Sequence, residues 1–509
     1  MQWNELIRDV AAIKGGGRAA SSTEIMGVEY DSRRIIAGSV FVAMRGGTTD
    51  GNRYIAAAIA QGAAGIVTDS ADAFAQLAQS HPHIPSLLVE HGRTALAEVS
   101  STFFGHPERS LRATGVTGTN GKTTTAFLTE ALLNRAARSS ILVGTIEYHV
   151  AGETRPSAHT TPESRDLFAL MADGVAREAT ELVMEVSSHA LDQGRVAGIG
   201  FDVAIFTNLT RDHLDYHHTM DAYFAAKRLL FDGTRYPAPR VAVLNADDPH
   251  AQELSQVAVQ AGSQVVPYSI QSKSDWRAEE LRLTPAGAEF TLATPHGTAH
   301  IRSALAGEVN VLNLLAAAAA AHARGVSFPA LIAAIPSLRP VPGRFQPVNA
   351  GQPFTVIVDY AHTDDALRNL TALARQLIAS SKGSQRRVIT LFGCGGDRDR
   401  TKRPRMGRAA AEGSDFVVVT SDNPRSEDPL AIIDEILPGL AFSGVHYVVE
   451  PDRAAAIALA LAQAQPGDVV LIAGKGHEKE QILRDHTIFF DDAQVALSAL
   501  SALGYGGAQ

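Results

Sequence analysis

The sequence predicts an α/β protein of three domains. These are a smaller N-terminal α/β domain, a central doubly wound parallel sheet with a phosphate (P-) loop, and a C-terminal Rossmann-like α/β domain. A chain of 509 residues is too long for one hydrophobic core. Short apolar runs alternate with helical patterns, as in parallel sheets. A glycine-rich loop at 115–121 separates an apolar segment from a helical pattern. We place the domains at residues 1–107, 108–341 and 342–509.

The composition argues against several classes of protein. Hydrophobic residues make up 45% and charged residues 19% of the chain, which is typical of globular proteins. The net charge of −9 argues against a nucleic-acid-binding surface. A single cysteine, Cys394, excludes an internal disulfide and fits a reducing compartment. Because the sequence has neither a signal-peptide pattern nor an apolar run of about 18 residues, we expect a cytoplasmic protein without membrane insertion.

The N-terminal domain shows strand patterns at 40–43, 65–67 and 87–89 and helical patterns at 54–61 and 72–79. Two polar, turn-rich segments, at 30–33 and 45–51, are its candidate binding features. From the residues alone, plain loops are the more frequent explanation of such segments.

The glycine-rich loop predicts nucleotide binding. Its glycines allow backbone N–H groups to surround phosphate oxygens, and the following helix, predicted from 127 to 133, adds a favourable dipole. Lys122 is expected to reach the β- and γ-phosphates, and Thr123 to place its hydroxyl on Mg²⁺. The spacing departs from the usual phosphate-loop pattern, because Gly115 lies one residue too far upstream.

Polar residues follow two predicted strands of the central domain, at 181–186 and 203–206. Ligands of open α/β sheets bind at the carboxyl ends of strands, so Glu185 and His213 are candidate metal ligands beside Thr123. From residue type alone, a hydrogen-bonded loop histidine is favoured for His213 and a solvated helix lysine for Lys227. The segment 263–301 predicts a small β insertion, and the alanine-rich helix at 304–324 is expected to serve packing.

The C-terminal domain carries four predicted strands, each followed by a polar or glycine-rich loop. These strands lie at 356–358, 388–392, 416–420 and 469–473. Their loops offer two guanidinium groups, Arg398 and Arg425, with Asn423 and the carboxylate of Glu478. This set suits a small zwitterion, since arginines clamp carboxylates and Glu478 can pair with an ammonium group. A solvated salt-bridge network is an equally good explanation of the residues alone.

Eight segments in order along nearly the whole chain resemble the Mur ligase family. They are residues 115–124, 184–189, 208–217, 226–231, 342–344, 358–362, 393–399 and 474–478. The resemblance implies an ATP-dependent acid–amino-acid ligase of peptidoglycan synthesis. Such an enzyme phosphorylates the D-glutamate γ-carboxylate of UDP-N-acetylmuramoyl-L-Ala-D-Glu, and an amino acid attacks the resulting acyl phosphate. Residues 422–425 look like the version that selects meso-2,6-diaminopimelate.

The resemblance also implies roles for individual residues. ATP would be bound by Gly118, Thr119, Asn120, Gly121, Lys122, Thr123, Thr124, Asn310, Arg344 and Asp359. The UDP-muramoyl-dipeptide would be bound by Tyr30, Ser32, Gly47, Thr48, Thr49, His159, Thr160, Thr161, Ser187, Gln193 and Arg195. Diaminopimelate would be bound by Arg398, Asp422, Asn423, Pro424, Arg425, Gly474 and Glu478. Two Mg²⁺ ions are implied, held by Thr123, Glu185, His213 and Lys227, the last as N6-carboxylysine. The implied catalytic residues are Lys122, Glu185, His213 and Lys227.

Three positions depart from the family pattern. His159 replaces an asparagine, Gly47 a histidine, and Asp364 a proline. The alternatives that stay open are a lysine-adding paralogue, a folylpolyglutamate synthetase-like ligase and, from another class, a phosphate-loop switch or motor. We expect a monomer that acts on small molecules and binds no nucleic acid.

Overall fold

The structure is a computed structural model that describes residues 1–16, 23–46, 49–284, 286–379, 386–441 and 443–506. The chain forms two compact units. The first comprises residues 1–268 and 316–327, and the second comprises residues 269–315 and 328–509. Within the described residues, the structure contains no helix whose length and apolar character would suffice to cross a membrane.

The first unit begins with a sheet in the order β1-β5-β4-β3-β2. The strands are β1 (Ala12–Gly16), β2 (Gly27–Glu29), β3 (Ser39–Ala43), β4 (Gly65–Thr68) and β5 (Ser86–Val89). All neighbours pair in parallel except β1, which is antiparallel to β5. The accompanying helices are α1 (Trp3–Leu6), α2 (Ile55–Ala60), α3 (Ala71–Ser80) and α4 (Gly92–Phe103). Trp3 packs on Gly65 so closely that a Cβ there would lie 2.4 Å from its ring, which explains the glycine at the start of β4.

The central sheet of the first unit has the order β13-β12-β11-β6-β10-β7-β8-β9. Its strands are β6 (Arg112–Thr117), β7 (Ser140–Val143), β8 (Glu147–Val150), β9 (Glu153–Pro156), β10 (Glu181–Glu185), β11 (Phe201–Phe206), β12 (Val241–Asn245) and β13 (Gln264–Ser269). Neighbours from β13 to β7 pair in parallel, and β8 and β9 add an antiparallel hairpin. The helices are α5 (Lys122–Arg135), α6 (Ser164–Ala176), α7 (Ser188–Gln193), α8 (Leu214–His217), α9 (Met220–Arg228) and α10 (Ala251–Gln260). Strands β10 and β12 are buried along their whole length, which accounts for their nearly continuous apolar sequences.

The second unit begins with an antiparallel meander of β14 (Trp276–Thr284), β15 (Gly287–Thr294) and β16 (Gly297–Ser303). Helix α11 (Glu308–Ala323), through which the division of the units runs, and helix α12 (Phe328–Ala334) follow.

The C-terminal sheet has the order β17-β18-β22-β19-β20-β21. Its strands are β17 (Gln346–Val348), β18 (Thr355–Asp359), β19 (Val388–Phe392), β20 (Phe416–Val419), β21 (His446–Val449) and β22 (Val469–Ala473), parallel except for β17. Helices α13 (Asp364–Ala379), α14 (Lys402–Gly413), α15 (Pro429–Ile436), α16 (Arg453–Gln463) and α17 (Asp492–Ala502) accompany it, and β23 (Glu480–Ile482) pairs with β24 (Thr487–Phe489) in a hairpin.

Two hydrophobic clusters cover the two faces of the C-terminal sheet. Leu367 and Leu370 of α13 join Ile357 of β18 in one cluster, while Ile457 of α16 joins Val358 in the other. Adjacent residues of one strand therefore enter opposite clusters, as expected for a doubly wound sheet.

The predicted fold class is confirmed. The strands predicted at 388–392 and 469–473 match β19 and β22, and the β insertion and the alanine-rich helix are present. The helix predicted from residue 127 begins earlier, at Lys122, and the apolar segment before the loop is the longer strand β6. The domain boundaries after residues 107 and 341 stay predictions.

Candidate active site

The phosphate loop joins β6 to α5 and depends on glycine at two positions. Gly118 has φ +147°, and a Cβ there would lie 1.9 Å from the Thr207 hydroxyl oxygen. Gly121, which precedes α5, has φ +86°. Both backbone conformations favour glycine, so the loop sequence is dictated by local geometry.

Lys122 and the following strand end shape the interior of this loop. The Lys122 Nζ donates to the carbonyl oxygens of Gly118 at 3.0 Å and Thr119 at 2.8 Å. Asn208 follows β11 and accepts two hydrogen bonds from the loop. Its side-chain Oδ1 accepts from the backbone N–H of Asn120 at 2.9 Å, and its backbone carbonyl accepts from the backbone N–H of Thr119 at 2.8 Å. The ammonium group thus lies against the loop carbonyls and belongs to the first residue of α5, where the helix N-terminus favours an anion.

Glu185 lies at the end of β10, only 1% exposed, with its carboxylate beside the first turn of α5. The Thr123 hydroxyl donates to Oε2 at 3.1 Å, and the Thr145 backbone N–H donates to Oε1 at 2.7 Å. A Cβ at Gly144 would lie 2.7 Å from Oε1, so glycine leaves room for the carboxylate. Thr124 is also buried in the first turn of α5. Two oxygen donors, the hydroxyl and the carboxylate, are therefore placed together as Mg²⁺ prefers.

Lys227 is buried rather than solvated, contrary to the expectation from residue type. It is 1% exposed on α9, donates to the Gly118 carbonyl at 2.7 Å, and lies 4.4 Å from the centre of the Tyr223 ring. Burial, and next the charge of Lys122, lower the pKa of Lys227 well below its usual value. The Gly118 carbonyl thus accepts from both lysines.

His213 lies at the N-terminus of α8 with φ 55° and a side chain that is 43% exposed. Its Nε2 is 3.5 Å from Asp212 Oδ2, so it does have a nearby carboxylate. Loss of solvation lowers the pKa of His213, against the opposing effect of Asp212. Its ring centre is 4.9 Å from that of His189. Among the described residues, no group of three or more histidine, cysteine, aspartate and glutamate side chains is arranged to hold a metal.

A second cluster of predicted residues surrounds Thr161. Its hydroxyl donates to the Glu185 carbonyl at 2.8 Å and accepts from the Ser187 N–H at 3.1 Å. Arg195 donates to the Thr161 carbonyl at 2.9 Å and to the Gln193 side-chain oxygen at 2.7 Å. Predicted residues of the muramoyl-dipeptide group are thus brought together with the backbone of Glu185.

The other residues predicted for this ligand are more dispersed. Tyr30 donates to Asp166 at 2.8 Å, and burial followed by that carboxylate raises its pKa. Thr160 lies 3.0 Å from the Thr145 hydroxyl, whereas the side chain of His159 is exposed. Ser32 is buried in a short turn and Thr49 is exposed. Gly47 and Thr48 lie outside the described residues.

The nucleotide residues predicted in the second unit have local partners. Asp359 accepts from the backbone N–H groups of Phe345 at 2.7 Å and Ala361 at 2.8 Å, while burial raises its pKa. The Arg344 guanidinium lies 4.7 Å from the centre of the Tyr360 ring. Asn310 donates to the Ala306 carbonyl at 2.9 Å.

The carboxyl ends of β20 and β22 bring together the predicted acceptor residues. Asn423 donates to Glu478 Oε2 at 2.8 Å, and a Cβ at Gly474, which has φ +114°, would lie 2.9 Å from Asp422 Oδ2. Lys475, which is 0% exposed, donates to Asn423 at 3.0 Å and to Glu478 at 3.3 Å. The carboxylate expected to meet a ligand ammonium therefore already contacts an ammonium of the protein.

Arg425 lies beside these residues with φ 52°, and its Nη1 donates to the Gly396 carbonyl at 2.8 Å. A Cβ at Gly395 would lie 2.9 Å from the same nitrogen. Pro424 is buried, with its carbonyl against Gly396. Arg398 is exposed and donates to the Asp397 carbonyl at 3.1 Å.

Comparison with known proteins identifies the family. Residues 24–104 match the model of the Mur ligase family, catalytic domain, residues 116–321 the Mur ligase middle domain, and residues 343–476 the Mur ligase glutamate ligase domain. A relative from Solibacter usitatus (strain Ellin6076), UDP-N-acetylmuramoyl-L-alanyl-D-glutamate--2,6-diaminopimelate ligase, is 48% identical over 505 residues, which are 99% of both chains. The chain belongs to the Mur ligase family. A relative of the same name from Geobacillus kaustophilus (strain HTA426) is 45% identical over 94% of this chain and 96% of its own.

Solved structures of Mur ligases share the fold. A structure of UDP-N-acetylmuramoyl-L-alanyl-D-glutamate--2,6-diaminopimelate ligase superposes with a TM-score of 0.69 and 32% identity over 99% of both chains. MurF from Thermotoga maritima, in complex with ADP, has a TM-score of 0.59 and 19% identity over 94% of this chain and 97% of its own. At that identity the second likeness concerns the fold alone.

Several residues of this Mur ligase were missed by reasoning from sequence. Thr145 holds Glu185, Asn208 holds the phosphate loop, and Lys475 holds Glu478. Asn208 and Lys475 lie inside two segments that carried the family resemblance, 208–217 and 474–478. Their position in these segments was the sequence signal that could have identified them. Thr145 follows a short strand with no such signal.

Proposed function

We propose that this protein joins meso-2,6-diaminopimelate to the D-glutamate γ-carboxylate of UDP-N-acetylmuramoyl-L-Ala-D-Glu, with hydrolysis of ATP to ADP and phosphate. The observation that carries the proposal is the convergence of Lys122, Thr123 and Glu185 at the phosphate loop of a Mur ligase. The full-length identity of 48% to a ligase of that name supports the same substrates. The product belongs to peptidoglycan synthesis.

The reaction has two steps. An oxygen of the γ-carboxylate attacks the γ-phosphorus, ADP leaves, and an acyl phosphate forms. The neutral amine of the acceptor then attacks the acyl carbon, loses a proton, and phosphate leaves as the amide forms. Lys122, whose Nζ is within 3.0 Å of two loop carbonyls, is placed to offset charge on the transferred phosphoryl group.

Mg²⁺ fits the oxygen donors of the site. Thr123 and Glu185 supply a hydroxyl and a carboxylate 3.1 Å apart, and both are hard oxygen ligands. We assign one ion to this pair and a second to His213 and Lys227. When bound, Mg²⁺ neutralises the developing phosphate charge.

Lys227 supports the second ion as N6-carboxylysine. A neutral amine attacks carbon dioxide and releases a proton, giving a carbamate with oxygen donors. Burial to 1% exposure, together with the charge of Lys122, lowers the pKa of Lys227 and favours the neutral amine that this reaction needs. Incorporation of ¹³C-bicarbonate, followed by NMR of the unaltered protein and of Lys227→Ala, tests the modification. A carbamate signal shared by both proteins would refute the assignment.

The donor substrate is assigned to the cluster around Thr161, Ser187, Gln193 and Arg195. Arg195 offers a guanidinium for an acidic ligand, although Glu163 Oε1 lies 3.2 Å from its Nε. Tyr30, Ser32 and the segment 47–49 are assigned to the UDP moiety, and Thr160 and His159 to the muramoyl-dipeptide. ATP is further assigned to Asn310, Arg344 and Asp359.

The acceptor is assigned to the ends of β20 and β22. Arg425 clamps the distal carboxylate of diaminopimelate, and Glu478 receives an ammonium group. L-Lysine lacks that carboxylate, which leaves the guanidinium without its ligand and disfavours lysine. Arg398, Asp422, Asn423, Pro424 and Gly474 complete this site.

Phosphate release tests the function directly. The protein is supplied with ATP, Mg²⁺ and UDP-N-acetylmuramoyl-L-Ala-D-Glu, and meso-diaminopimelate is compared with L-lysine. We expect phosphate release with diaminopimelate alone. Release with lysine would keep the ligase and refute the acceptor, whereas release with neither would refute the function and favour a folate-type substrate. Amine-independent ATP hydrolysis would indicate a switch or motor.

We further propose that the protein works as a cytoplasmic monomer on these small molecules. Every residue assigned to a ligand comes from one chain, so the proposed site needs no second subunit. The cytoplasm is the compartment that supplies ATP. Light scattering during size exclusion tests the monomer, and a mass of twice 53.9 kDa would refute it.

A further inference from the structure

Lys475 lies between two carboxylates at the end of β22. Its side chain is 0% exposed, and its Nζ lies 3.3 Å from Glu478 Oε2 and 3.9 Å from Asp422 Oδ1. It also donates to the Asn423 side-chain oxygen at 3.0 Å and to the Glu480 carbonyl. Burying an ammonium group this completely is unfavourable unless its partners compensate, so this arrangement is specific.

The charges of this cluster do not cancel. Asp422 and Glu478 contribute two negative charges and Lys475 one positive charge, which leaves a net charge of −1. Arg453 also lies within electrostatic range of both carboxylates, but it pairs with Asp492 at 2.6 and 2.8 Å. One further cation would therefore balance the cluster.

The exposed side of the cluster belongs to Glu478. Its side chain is 32% exposed, compared with 10% for Asp422 and 0% for Lys475. Asn423 and Lys475 both contact the same oxygen, Oε2, at 2.8 and 3.3 Å. These contacts fix the orientation of the carboxylate and leave Oε1 for a ligand.

The carboxylate of Glu478 favours the protonated form of an amine that it binds. A nearby carboxylate stabilises the ammonium form, whereas attack on an acyl phosphate needs a neutral amine. The cluster is therefore suited to an ammonium group that does not react. An acceptor with a second amine, remote from the one that forms the amide, fits this requirement.

We propose that Lys475 is a positioning residue that sets the cluster to a net charge of −1 and orients Glu478 for the non-reacting ammonium group of the acceptor. This inference rests on the proposed function. Burial, and next Asp422, raise the pKa of Glu478, while Lys475 and Asn423 oppose that rise. Lys475 therefore favours the ionised form of Glu478. Tyr360 and Arg453 also lie in electrostatic range of Glu478.

Three variants of the full-length protein separate charge from structure. Lys475→Gln keeps an N–H donor for Asn423 and Glu480 but removes the charge, and Lys475→Arg keeps the charge. Lys479→Gln is the matched control, because Lys479 is exposed and only four residues away. Thermal unfolding establishes that each variant is folded. The KM values for meso-diaminopimelate, ATP and the UDP-linked substrate are measured by phosphate release between pH 7 and pH 9.

We expect Lys475→Gln to raise the KM for diaminopimelate about tenfold or more at pH 7, as for a lost charged hydrogen bond. The other two KM values stay within about twofold of the control. Without the Lys475 charge the protonated form of Glu478 is favoured, and a rise in pH opposes this. We therefore expect the acceptor KM of Lys475→Gln, divided by that of Lys479→Gln, to fall toward pH 9. Lys475→Arg restores most of the acceptor binding.

Three results would overturn the inference. These are an unchanged acceptor KM in Lys475→Gln, an increase of all three KM values that does not depend on pH, and an Arg variant as impaired as the Gln variant. Failure of the unaltered protein to release phosphate with diaminopimelate would refute the proposed function, and this inference with it. An active unaltered protein with an unaffected Gln variant would refute the inference alone.

Discussion

The Thr123 hydroxyl donates to Oε2 of Glu185 over 3.1 Å, although 62 positions of sequence separate the two residues. Thr123 belongs to the first turn of α5, and Glu185 is the last residue of β10. The Thr145 N–H holds the other carboxylate oxygen at 2.7 Å. The neighbouring parallel strands β6 and β10 thus lead to a hydroxyl and a carboxylate that lie side by side, an arrangement that would reduce the reorganisation needed to bind a cation.

Glu185→Gln tests this pair. Glutamine can keep hydrogen bonds to Thr123 and Thr145, but it lacks the charge that favours Mg²⁺. We expect the Mg²⁺ concentration for half-maximal phosphate release to rise about tenfold or more, and kcat to fall about 100-fold. Glu253→Gln, a substitution at a side chain that is 54% exposed, serves as the control. A variant with an unaltered Mg²⁺ requirement would show that Glu185 is not a ligand.

Arg425→Lys tests the choice of acceptor. Lysine keeps a positive charge but cannot form two parallel hydrogen bonds with a carboxylate. We expect kcat/KM for meso-diaminopimelate to fall about 100-fold, while kcat/KM for L-lysine does not fall. The preference for diaminopimelate over lysine, given by the ratio of the two values, therefore decreases. Competition between the two acceptors in one reaction measures this ratio.

Arg405→Lys is the control for this substitution, because Arg405 is an exposed arginine of α14. Its kcat/KM for diaminopimelate should match that of the unaltered protein. Equal losses with diaminopimelate and lysine in Arg425→Lys would mean that Arg425 supports the loop instead of reading the distal carboxylate.

The phosphate loop could be predicted from sequence because its constraint is local. Gly118 and Gly121 both have positive φ, and this requirement leaves glycines at fixed positions. Strands β19 and β22 were equally predictable, since burial on both faces yields continuous apolar runs. The short edge strand β21 was missed, although Tyr447, Val448 and Val449 form a short apolar run in it and all four of its residues are exposed.

Long-range contacts could not be predicted. Lys227 is buried and reaches the Gly118 carbonyl, 109 positions away; residue type alone does not indicate this, although the family resemblance of residues 226–231 implies a role for Lys227 in the site. Lys475 depends in the same way on Asn423, 52 positions away. In both cases the residue type favours solvent, and only the tertiary structure supplies the partners that allow burial.

His149 predicts a pH-dependent stability. Its Nδ1 lies 2.7 Å from Glu130 and its Nε2 3.0 Å from Glu147, so the two carboxylates bind the doubly protonated ring. Burial alone would lower its pKa, but these carboxylates raise it to about 9, against 6.5 in the unfolded chain. The stabilisation is therefore complete below pH 6.5 and is lost as the pH rises through about 9.

Denaturant unfolding of the unaltered protein and of His149→Gln, from pH 6 to pH 10, measures this contribution. We expect the unaltered protein to be more stable by on the order of 3 kcal/mol at pH 6, and the difference to vanish near pH 10. His83→Gln, at an exposed position, should show no such difference. Parallel stability curves for His149→Gln and the unaltered protein would mean that the ring is neutral in the folded state.

Arg453 and Asp492 form an ion pair in which both side chains are 0% exposed. Arg453 also donates to the carbonyls of Ser421 at 3.4 Å and Ala473 at 3.0 Å. These carbonyls directly precede Asp422 and Gly474. The pair therefore joins the two loops to which we assign the acceptor, and we expect its loss to affect both stability and acceptor binding.

Asp492→Asn leaves the Arg453 charge buried without its counter-charge. We expect a loss of about 3–5 kcal/mol in the unfolding free energy, together with a higher KM for diaminopimelate. Asp485→Asn, at a side chain that is 84% exposed, should change neither quantity.

The double variant Arg453→Met with Asp492→Leu removes both charges, so it should recover part of the lost stability. Its KM for diaminopimelate should stay high, because the hydrogen bonds from Arg453 to the carbonyls of Ser421 and Ala473 remain absent. A double variant less stable than Asp492→Asn would show that packing, rather than the unpaired charge, dominates at this position.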